Sequence, residues 1–403
     1  MKVESSRKEI SLSTLFGVYL QLGLTAFGFT ALQKVKRMIR KHRWLTETEL
    51  EEGLALVQLY PGPIMVNLNT YIGYKLRGLP GAIVSTLGFI LPTTVLMIAL
   101  SSFYFSLGQL PWVKPVFTGL EAIIVGVIIN VVLDFGKRGI KNPVQAGIAV
   151  LAFSVLILHL NVVFLVFLAL FTGAIFLRPA NGGSKKEQKS IPVSEKKSEK
   201  RWKRWYGIPI AALFLFSGIG LSISLSSDIG RTALSFFKIG SIAFGNGLTI
   251  LPLIQADVVD TFHWLTLNQF VDGIALSQIT PGPFLVIATF IGFKLSGVWG
   301  ALLTTFAIFS PSFVLTLVFT EVFTHVKNLD FVRGALSGVL AAFVGLLAAM
   351  LLQMGAIIAP HPAGLIFAAV SFAGVRYFKL DILWIFTGGL LLWIGLYELG
   401  IPV

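Results

Sequence analysis

The sequence contains no cysteine and few charged residues. Among its 403 residues, Asp, Glu, Lys and Arg make up 13%, where soluble proteins average about 25%. The absence of cysteine excludes disulfides, thiolate metal sites and thiol nucleophiles. The shortage of charge, together with a hydrophobic content of 55%, predicts an all-α polytopic membrane protein whose partner is the lipid bilayer.

Motifs of known catalytic chemistry are also missing. The five histidines are scattered without metal-ligand spacing, and no HExxH, GxxxxGK[ST] or paired-aspartate motif occurs. We therefore expect no enzyme activity, no metal site and no cofactor. The net charge of +13 would suggest a nucleic-acid partner in a soluble protein, but here it indicates the basic bias of cytoplasmic loops, and no nucleic-acid binding is expected.

The chain repeats itself at a shift of about 219 residues. The stretch RWLTETELEEGLALVQLYPGP at 43–63 matches HWLTLNQFVDGIALSQITPGP at 263–283, and TYIGYKLRG at 70–78 matches TFIGFKLSG at 289–297. The repeat predicts three parts: an N-terminal copy at 1–177, a basic cytoplasmic linker with one extra transmembrane helix at 178–228, and a C-terminal copy at 229–403.

Loop charges indicate that the two copies face opposite ways. The segment 34–43 holds six Lys or Arg, whereas its counterpart at 255–264 holds none and two aspartates. Because positive loops stay in the cytoplasm, the sequence predicts an inverted-topology repeat of two homologous halves. Parity between basic regions further predicts about nine full crossings, four broken or re-entrant segments and an external C-terminus.

Two proline-glycine-proline motifs interrupt apolar segments, Pro61-Gly62-Pro63 in the first copy and Pro281-Gly282-Pro283 in the second. Such breaks free backbone groups, which in lipid are tolerated only inside protein or beside a wet cavity. In transporters with inverted repeats, the N-termini of half-helices at such breaks point toward anionic substrate groups. The recurrence therefore favours an anion site between the copies, although a kink without a ligand is the alternative.

Other residues near the breaks are weaker candidates. Glycines of the AFG segments would let backbone amides approach an anion, while the nearby amide and hydroxyl side chains could donate to it or bond a neighbouring helix instead. Lys238 could pair with the anion or extend to the membrane interface. These candidates are Gly28, Gln58, Asn67, Asn69, Lys238, Gly245, Gly247, Gln278 and Thr280.

Glu121 is the one carboxylate that the sequence places well inside an apolar span, in FTGLEAIIVGVI. An ionisable residue inside a membrane is a functional candidate by default, which here suggests a proton-coupling role. A position near the end of the span, facing water, is the alternative. Its counterpart in the second copy is Leu340, so Glu121 cannot be a symmetric ligand.

The paired motifs LGLTAFG and FKIGSIAFGNG, with ALVQLYPGP and ALSQITPGP, resemble the chromate ion transporter family in its long two-domain form. The resemblance covers nearly the whole chain. It implies a secondary transporter that exports chromate, is driven by the proton gradient and has sulfate as a competing oxyanion. It also marks the motif positions Phe27 and Phe244, and Thr30 and Asn246 beside the AFG motifs are further candidate binding residues. The chain departs from the family pattern at Phe29 and Thr30, where members usually have a glycine and a proline.

The leading hypothesis is an antiporter in the cytoplasmic membrane that exports a tetrahedral oxyanion, chromate, by alternating access. A carrier of sulfate or another anion is the alternative. A lipid-modifying enzyme would need a cluster of His, Asp or Glu near a membrane face, and a channel would show no counter-ion dependence. The sequence leaves the oligomeric state open, a homodimer included.

Overall fold

The computed structural model describes residues 10–27, 30–42, 44–107, 110, 113–177, 228–244, 247–326 and 330–399. The predicted linker and its extra helix lie outside this part of the chain, apart from the last linker residue. The described residues form fourteen α-helices, two short 3₁₀ segments at Gly247–Ile250 and Phe284–Val286, and a π-helical turn at Ala256–Thr261, and they contain no β-strand.

The α-helices, in chain order, are α1 Leu12–Thr25, α2 Thr30–His42, α3 Glu47–Leu56, α4 Ile64–Leu107, α5 Lys114–Gly139, α6 Pro143–Ile157, α7 Val162–Phe176, α8 Asp228–Ser241, α9 Leu251–Gln255, α10 Leu267–Ile279, α11 Ile287–Val326, α12 Asp330–Ile358, α13 Pro362–Arg376 and α14 Ile382–Glu398.

The helices that lead into the PGP motifs, α3 and α10, begin in the same way. Thr46 accepts a hydrogen bond from the backbone N–H of Glu49, whose carboxylate accepts one in return from the backbone N–H of Thr46. Thr266 and Gln269 repeat this capping box in the second half. Each box satisfies two backbone donors at the start of its helix, so both halves fix the entry to their PGP turn by the same local chemistry.

The chain reverses direction at each PGP motif. The Tyr71 hydroxyl donates to the backbone carbonyl of Glu49, and the Tyr71 ring lies against Gly53. The start of α3 therefore lies beside the later part of the first arm of α4. In the second half the ring of Phe290 lies against Gly273 in the same manner. Each PGP motif thus forms the tip of a helical hairpin.

The long helices α4 and α11 are bent where the chain is glycine-rich. The bend in α4 lies at Arg77 and Gly78, and that in α11 at Ser296 and Gly297. Gly78 has φ 65° and ψ −149°, a conformation that is nearly restricted to glycine. The two arms of each helix then fold against one another. Hydroxyls hold them together, Thr70 with Thr86 and Thr289 with Thr305, each pair at 2.7 Å.

The halves interlock through their other long helices. A Cβ added at Gly126 in α5 would overlap the carbonyl of Ala368 in α13, and one added at Gly345 in α12 would overlap the carbonyl of Ala149 in α6. The two contacts occupy equivalent places in the repeat. Each copy's central helix therefore packs against the outer helices of the other copy, and only small residues allow this approach.

The apolar surface and helix lengths are those of a membrane protein. Among the described residues, four helical stretches are long and apolar enough to span a bilayer, and five shorter apolar helices accompany them. Large apolar side chains cover the outside of α7, where Phe164 and Phe171 are 68% and 65% exposed. The predicted all-α polytopic membrane protein is confirmed. The inverted orientation and the count of nine crossings stay predictions.

The bends in α4 and α11 give a test of backbone strain. Gly78→Ala and Gly297→Ala should each lower stability by about 1–3 kcal/mol, because both glycines have positive φ, while no atom lies within 4 Å of an added Cβ. The measurement is thermal unfolding of the purified protein in detergent. Gly147→Ala is the matched control, because Gly147 is helical and equally open, and alanine favours a helix. Equal melting temperatures for all three variants would contradict the strained bend.

Candidate functional site

Breaks from the two halves meet in pairs inside the molecule. The Gly62 N–H, in the first PGP motif, donates to the carbonyl of Ala243 at 2.5 Å, and the Gly282 N–H, in the second, donates to the carbonyl of Ala26 at 2.7 Å. Ala26 and Ala243 begin the two AFG motifs. The PGP tip of each half is therefore hydrogen-bonded to the AFG break of the other half.

Both central glycines of the PGP motifs are required by geometry. Gly62 has φ 134° and Gly282 has φ 110°, values that L residues rarely adopt. A Cβ on Gly62 would overlap Ser312 of α11, and one on Gly282 would overlap Thr93 of α4. The second arm of each bent helix thus packs on the PGP tip of the opposite half.

The polar groups behind these tips differ between the halves. The Thr93 hydroxyl donates to the carbonyl of Pro281 at 2.5 Å, which ties α4 directly to the second PGP turn. Ser312, its counterpart, donates to the carbonyl of Phe309 within its own helix at 3.0 Å. The two-fold likeness therefore extends to the position of these hydroxyls but not to the bonds they make.

Three amide side chains near the PGP turns are buried without partners. Asn67 and Asn69, which follow the first turn, are 0% exposed, and Gln278, just before the second, is 3% exposed. Among the described residues none of their amide nitrogens or oxygens has a hydrogen-bond partner. The amide of Asn67 lies over the first turn, since a Cβ on Gly62 would be 2.6 Å from Asn67 Nδ2. Buried polar groups are normally paired, so these amides mark a place where a polar ligand could bind.

The remaining predicted site residues fall into two groups. Several are buried or partly buried at the turns, with Thr280 donating to the carbonyl of Ser277 at 3.0 Å and Gly247 opening a 3₁₀ turn. These residues are Phe27, Pro61, Pro63, Phe244, Gly247, Thr280, Pro281 and Pro283. Gly28, Gly245 and Asn246 lie outside the described residues, and Thr30 begins α2.

Two predicted residues differ from these amides because their side chains are exposed. Gln58 is exposed, although it occupies the same repeat position as the buried Gln278. Lys238 is also exposed, on α8, within electrostatic range of Asp257. The three amides are therefore buried inside the molecule, whereas these two side chains are exposed.

Glu121 is buried, with 6% exposure, which contradicts the water-facing alternative. Its Oε1 accepts a hydrogen bond from Asn268 Nδ2 at 3.1 Å. A second buried carboxylate, Asp272 on α10, accepts a hydrogen bond from the hydroxyl of Tyr104 at 2.6 Å. Sequence reasoning missed Asp272, although its position ahead of the apolar run GIAL was a usable signal.

Comparison with known proteins gives one family and several full-length relatives. The family model described as chromate transporter matches residues 13–174 and 230–394. The chain is similar to a probable chromate transport protein of Synechococcus elongatus, with 30% identity over 86% of this chain and 85% of the relative. It is also similar to a chromate transport protein of Cupriavidus metallidurans, with 29% identity over 83% and 80%.

An uncharacterized transporter of Methanocaldococcus jannaschii is similar over an even larger share, with 29% identity over 91% of this chain and 90% of the relative. No solved structure matches the chain. The likeness therefore extends through both copies of the repeat and reaches an archaeal protein.

Thr93 gives a test of the contact between α4 and the second PGP turn. Thr93→Val should lower stability by about 1–3 kcal/mol, because it leaves the buried Pro281 carbonyl without this donor. Thermal unfolding in detergent measures the loss. Thr93→Ser keeps the hydroxyl and should recover most of the stability. Thr94→Val is the matched control, because Thr94 is also buried but donates only to Ile90 of its own helix. A cost at Thr94 as large as at Thr93 would contradict the assigned contact.

Proposed function

The chain belongs to the chromate transporter family, and from this premise we propose that it is a secondary active transporter that exports chromate across the cytoplasmic membrane. One observation carries the proposal. Breaks from both halves meet inside the molecule, beside the buried amides of Asn67, Asn69 and Gln278, which have no partner among the described residues.

The chemistry of this place suits a tetrahedral dianion. Chromate presents four oxygens that only accept hydrogen bonds, and each amide side chain offers two N–H donors. Asn67 of the first copy lies over the first PGP turn, and Gln278 of the second copy precedes the second turn, so in this proposal the anion contacts donors from both halves. Neutral donors inside a low-dielectric site bind a charged acceptor strongly.

Alternating access is the proposed mechanism. Each PGP tip is bonded to the opposite AFG break by one backbone hydrogen bond. Movement of one half against the other would break one of these contacts while keeping the other, which opens the site to one side at a time. In this proposal the copies are 1–177 and 229–403, and they face opposite sides of the membrane.

Sulfate transport is the second candidate function. Sulfate has the same tetrahedral shape and charge as the chromate dianion, and amide donors contact only the oxygens. Amide donors therefore do not distinguish the central atom, and we expect sulfate to compete with chromate.

Transport by inside-out membrane vesicles tests the main proposal. We expect saturable uptake of labelled chromate that excess sulfate inhibits. Gln278→Ala should raise KM by about tenfold to hundredfold, which corresponds to the 1.5–3 kcal/mol of a hydrogen bond to a charged group. Gln58→Ala, at the matching repeat position, should have a smaller effect, because Gln58 is exposed. The absence of saturable chromate uptake by the wild type would refute the proposal.

Single cysteines test the inverted orientation, since the chain has no native cysteine. Lys41→Cys and Thr261→Cys place a thiol on two exposed residues at equivalent positions of the repeat. A membrane-impermeant maleimide should label Lys41→Cys only from the cytoplasmic side and Thr261→Cys only from the outside. Labelling of both from the same side would show that the copies are parallel.

A further inference from the structure

Two carboxylates from different halves are buried together. Glu121 belongs to α5 of the first copy and Asp272 to α10 of the second, and they are 6% and 5% exposed. Asn268 bonds Glu121, and Asn268 and Asp272 are four residues apart on α10, so they lie on the same face of that helix. The two carboxyl groups are close enough for their charges to interact.

The hydrogen bonds leave one carboxyl oxygen without a partner. The Tyr104 hydroxyl donates to Asp272 Oδ2, and Asn268 donates to Glu121 Oε1. Asp272 Oδ1 is buried and has no hydrogen-bond partner among the described residues. A buried carboxylate oxygen without a donor is costly, and a proton on that oxygen would remove the charge that makes it so.

The charges around the pair do not neutralise it. Tyr104 and Asn268 are neutral donors, and Lys114, which acts electrostatically on Glu121 from the start of α5, is exposed. Two other partly buried carboxylates do have a basic partner in contact, Asp134 with Arg376 at 2.6 Å and Asp260 with His159 at 3.5 Å. Two like charges that are buried side by side disfavour full ionisation, so the pair favours holding one proton.

We propose that Glu121 and Asp272 form a two-carboxyl proton site that drives transport. The role of Asp272 and its link to the anion site are the new elements, and the inference rests on the proposed anion transport. In the loading step a hydronium ion transfers its proton to Asp272 Oδ1, which forms an O–H bond and releases water. The reverse step on the other side of the membrane completes the cycle. Tyr104 is a positioning residue that holds Oδ2 in place.

The proton site and the second PGP turn share two rigid elements. Asp272 and Gln278 lie six residues apart on α10, about 9 Å along the helix axis, and α10 ends just before Pro281. The second arm of α4 touches both places as well, with Tyr104 bonded to Asp272 and Thr93 bonded to Pro281. A shift of α10 or α4 on protonation would therefore move the turn beside the anion.

The repeat contains two equivalent places for such a carboxylate pair, and only one of them has two buried carboxylates. Glu52 is the counterpart of Asp272, but it is partly exposed, and the counterpart of Glu121 is Leu340. The site for a coupling ion does not need to be present in both halves of the repeat. One proton that binds at a single site can be coupled to both directions of the transport cycle. This asymmetry also supplies a matched control at Glu52.

Proteoliposomes of the full chain test the proposal with labelled chromate as the probe. Counterflow without a pH gradient measures the carrier, and accumulation into vesicles with an acidic lumen measures proton coupling. The wild type should accumulate chromate about tenfold per pH unit for each coupled proton. Asp272→Asn and Glu121→Gln should bring this ratio to about one, and they should reduce accumulation more than counterflow. Glu52→Gln should accumulate like the wild type.

Three results would overturn the proton site: full accumulation by Asp272→Asn, accumulation that follows a sodium gradient instead, or an equal loss in Glu52→Gln. An infrared spectrum of the purified protein separates this inference from the proposed function. The wild type should show a protonated carboxylic acid band that titrates with pH and is missing in Asp272→Asn. If the wild type shows no chromate counterflow, the proposed function fails, and the presence or loss of this band still decides whether the pair binds a proton.

Discussion

The structure depends on one constraint, which is that backbone polar groups inside a membrane must find partners within the protein. A PGP turn removes helix hydrogen bonds, and here both turns lie inside the molecule. Here the missing partner of Gly62 comes from Ala243, and that of Gly282 comes from Ala26. Each half completes the break of the other half, so the breaks can exist only because there are two copies.

The rest of the architecture extends this exchange. Gly126 of α5 packs on α13, and Gly345 of α12 packs on α6, so the long straight helices also have their closest neighbours in the opposite copy. The bent helices α4 and α11 lay their second arms on the opposite PGP tips through Thr93 and Ser312. A displacement at either tip is therefore transmitted to both halves, which is a mechanical basis for coupling two binding events.

The sequence was informative about the class of protein and about its internal repeat. The composition indicates a membrane protein. The paired PGP and AFG motifs can be found by aligning the chain with itself, because the two copies have the same residues at equivalent positions. The break at each PGP motif could be predicted from proline chemistry alone. The choice of partner could not, because the contact of Gly62 with Ala243 joins residues far apart in the chain and depends on how the copies are packed.

Similar residues at equivalent repeat positions can nevertheless lie in different environments. Gln58 and Gln278 occupy one repeat position, yet one is exposed and the other is 3% exposed. Glu52 and Asp272 differ in the same sense, since Glu52 is partly exposed, whereas Asp272 is 5% exposed and accepts a hydrogen bond from Tyr104 of α4. Burial is decided by neighbours from the other copy, and the local pattern does not record them. A repeat therefore predicts which positions to compare, while tertiary packing decides which member of each pair is buried.

The crossed hydrogen bonds have a consequence for how the protein is made. Ala243 lies about 180 residues after Gly62, and a ribosome adds roughly 5–20 residues per second, so the first turn waits about 10 to 40 s for its native partner. During that interval the Gly62 N–H lacks the partner that it has in the folded protein. Until the second copy has been made, the Gly62 N–H needs another hydrogen-bond acceptor, such as water, a lipid headgroup or the insertion machinery. The first half therefore depends on its surroundings for a bond that the second half later provides.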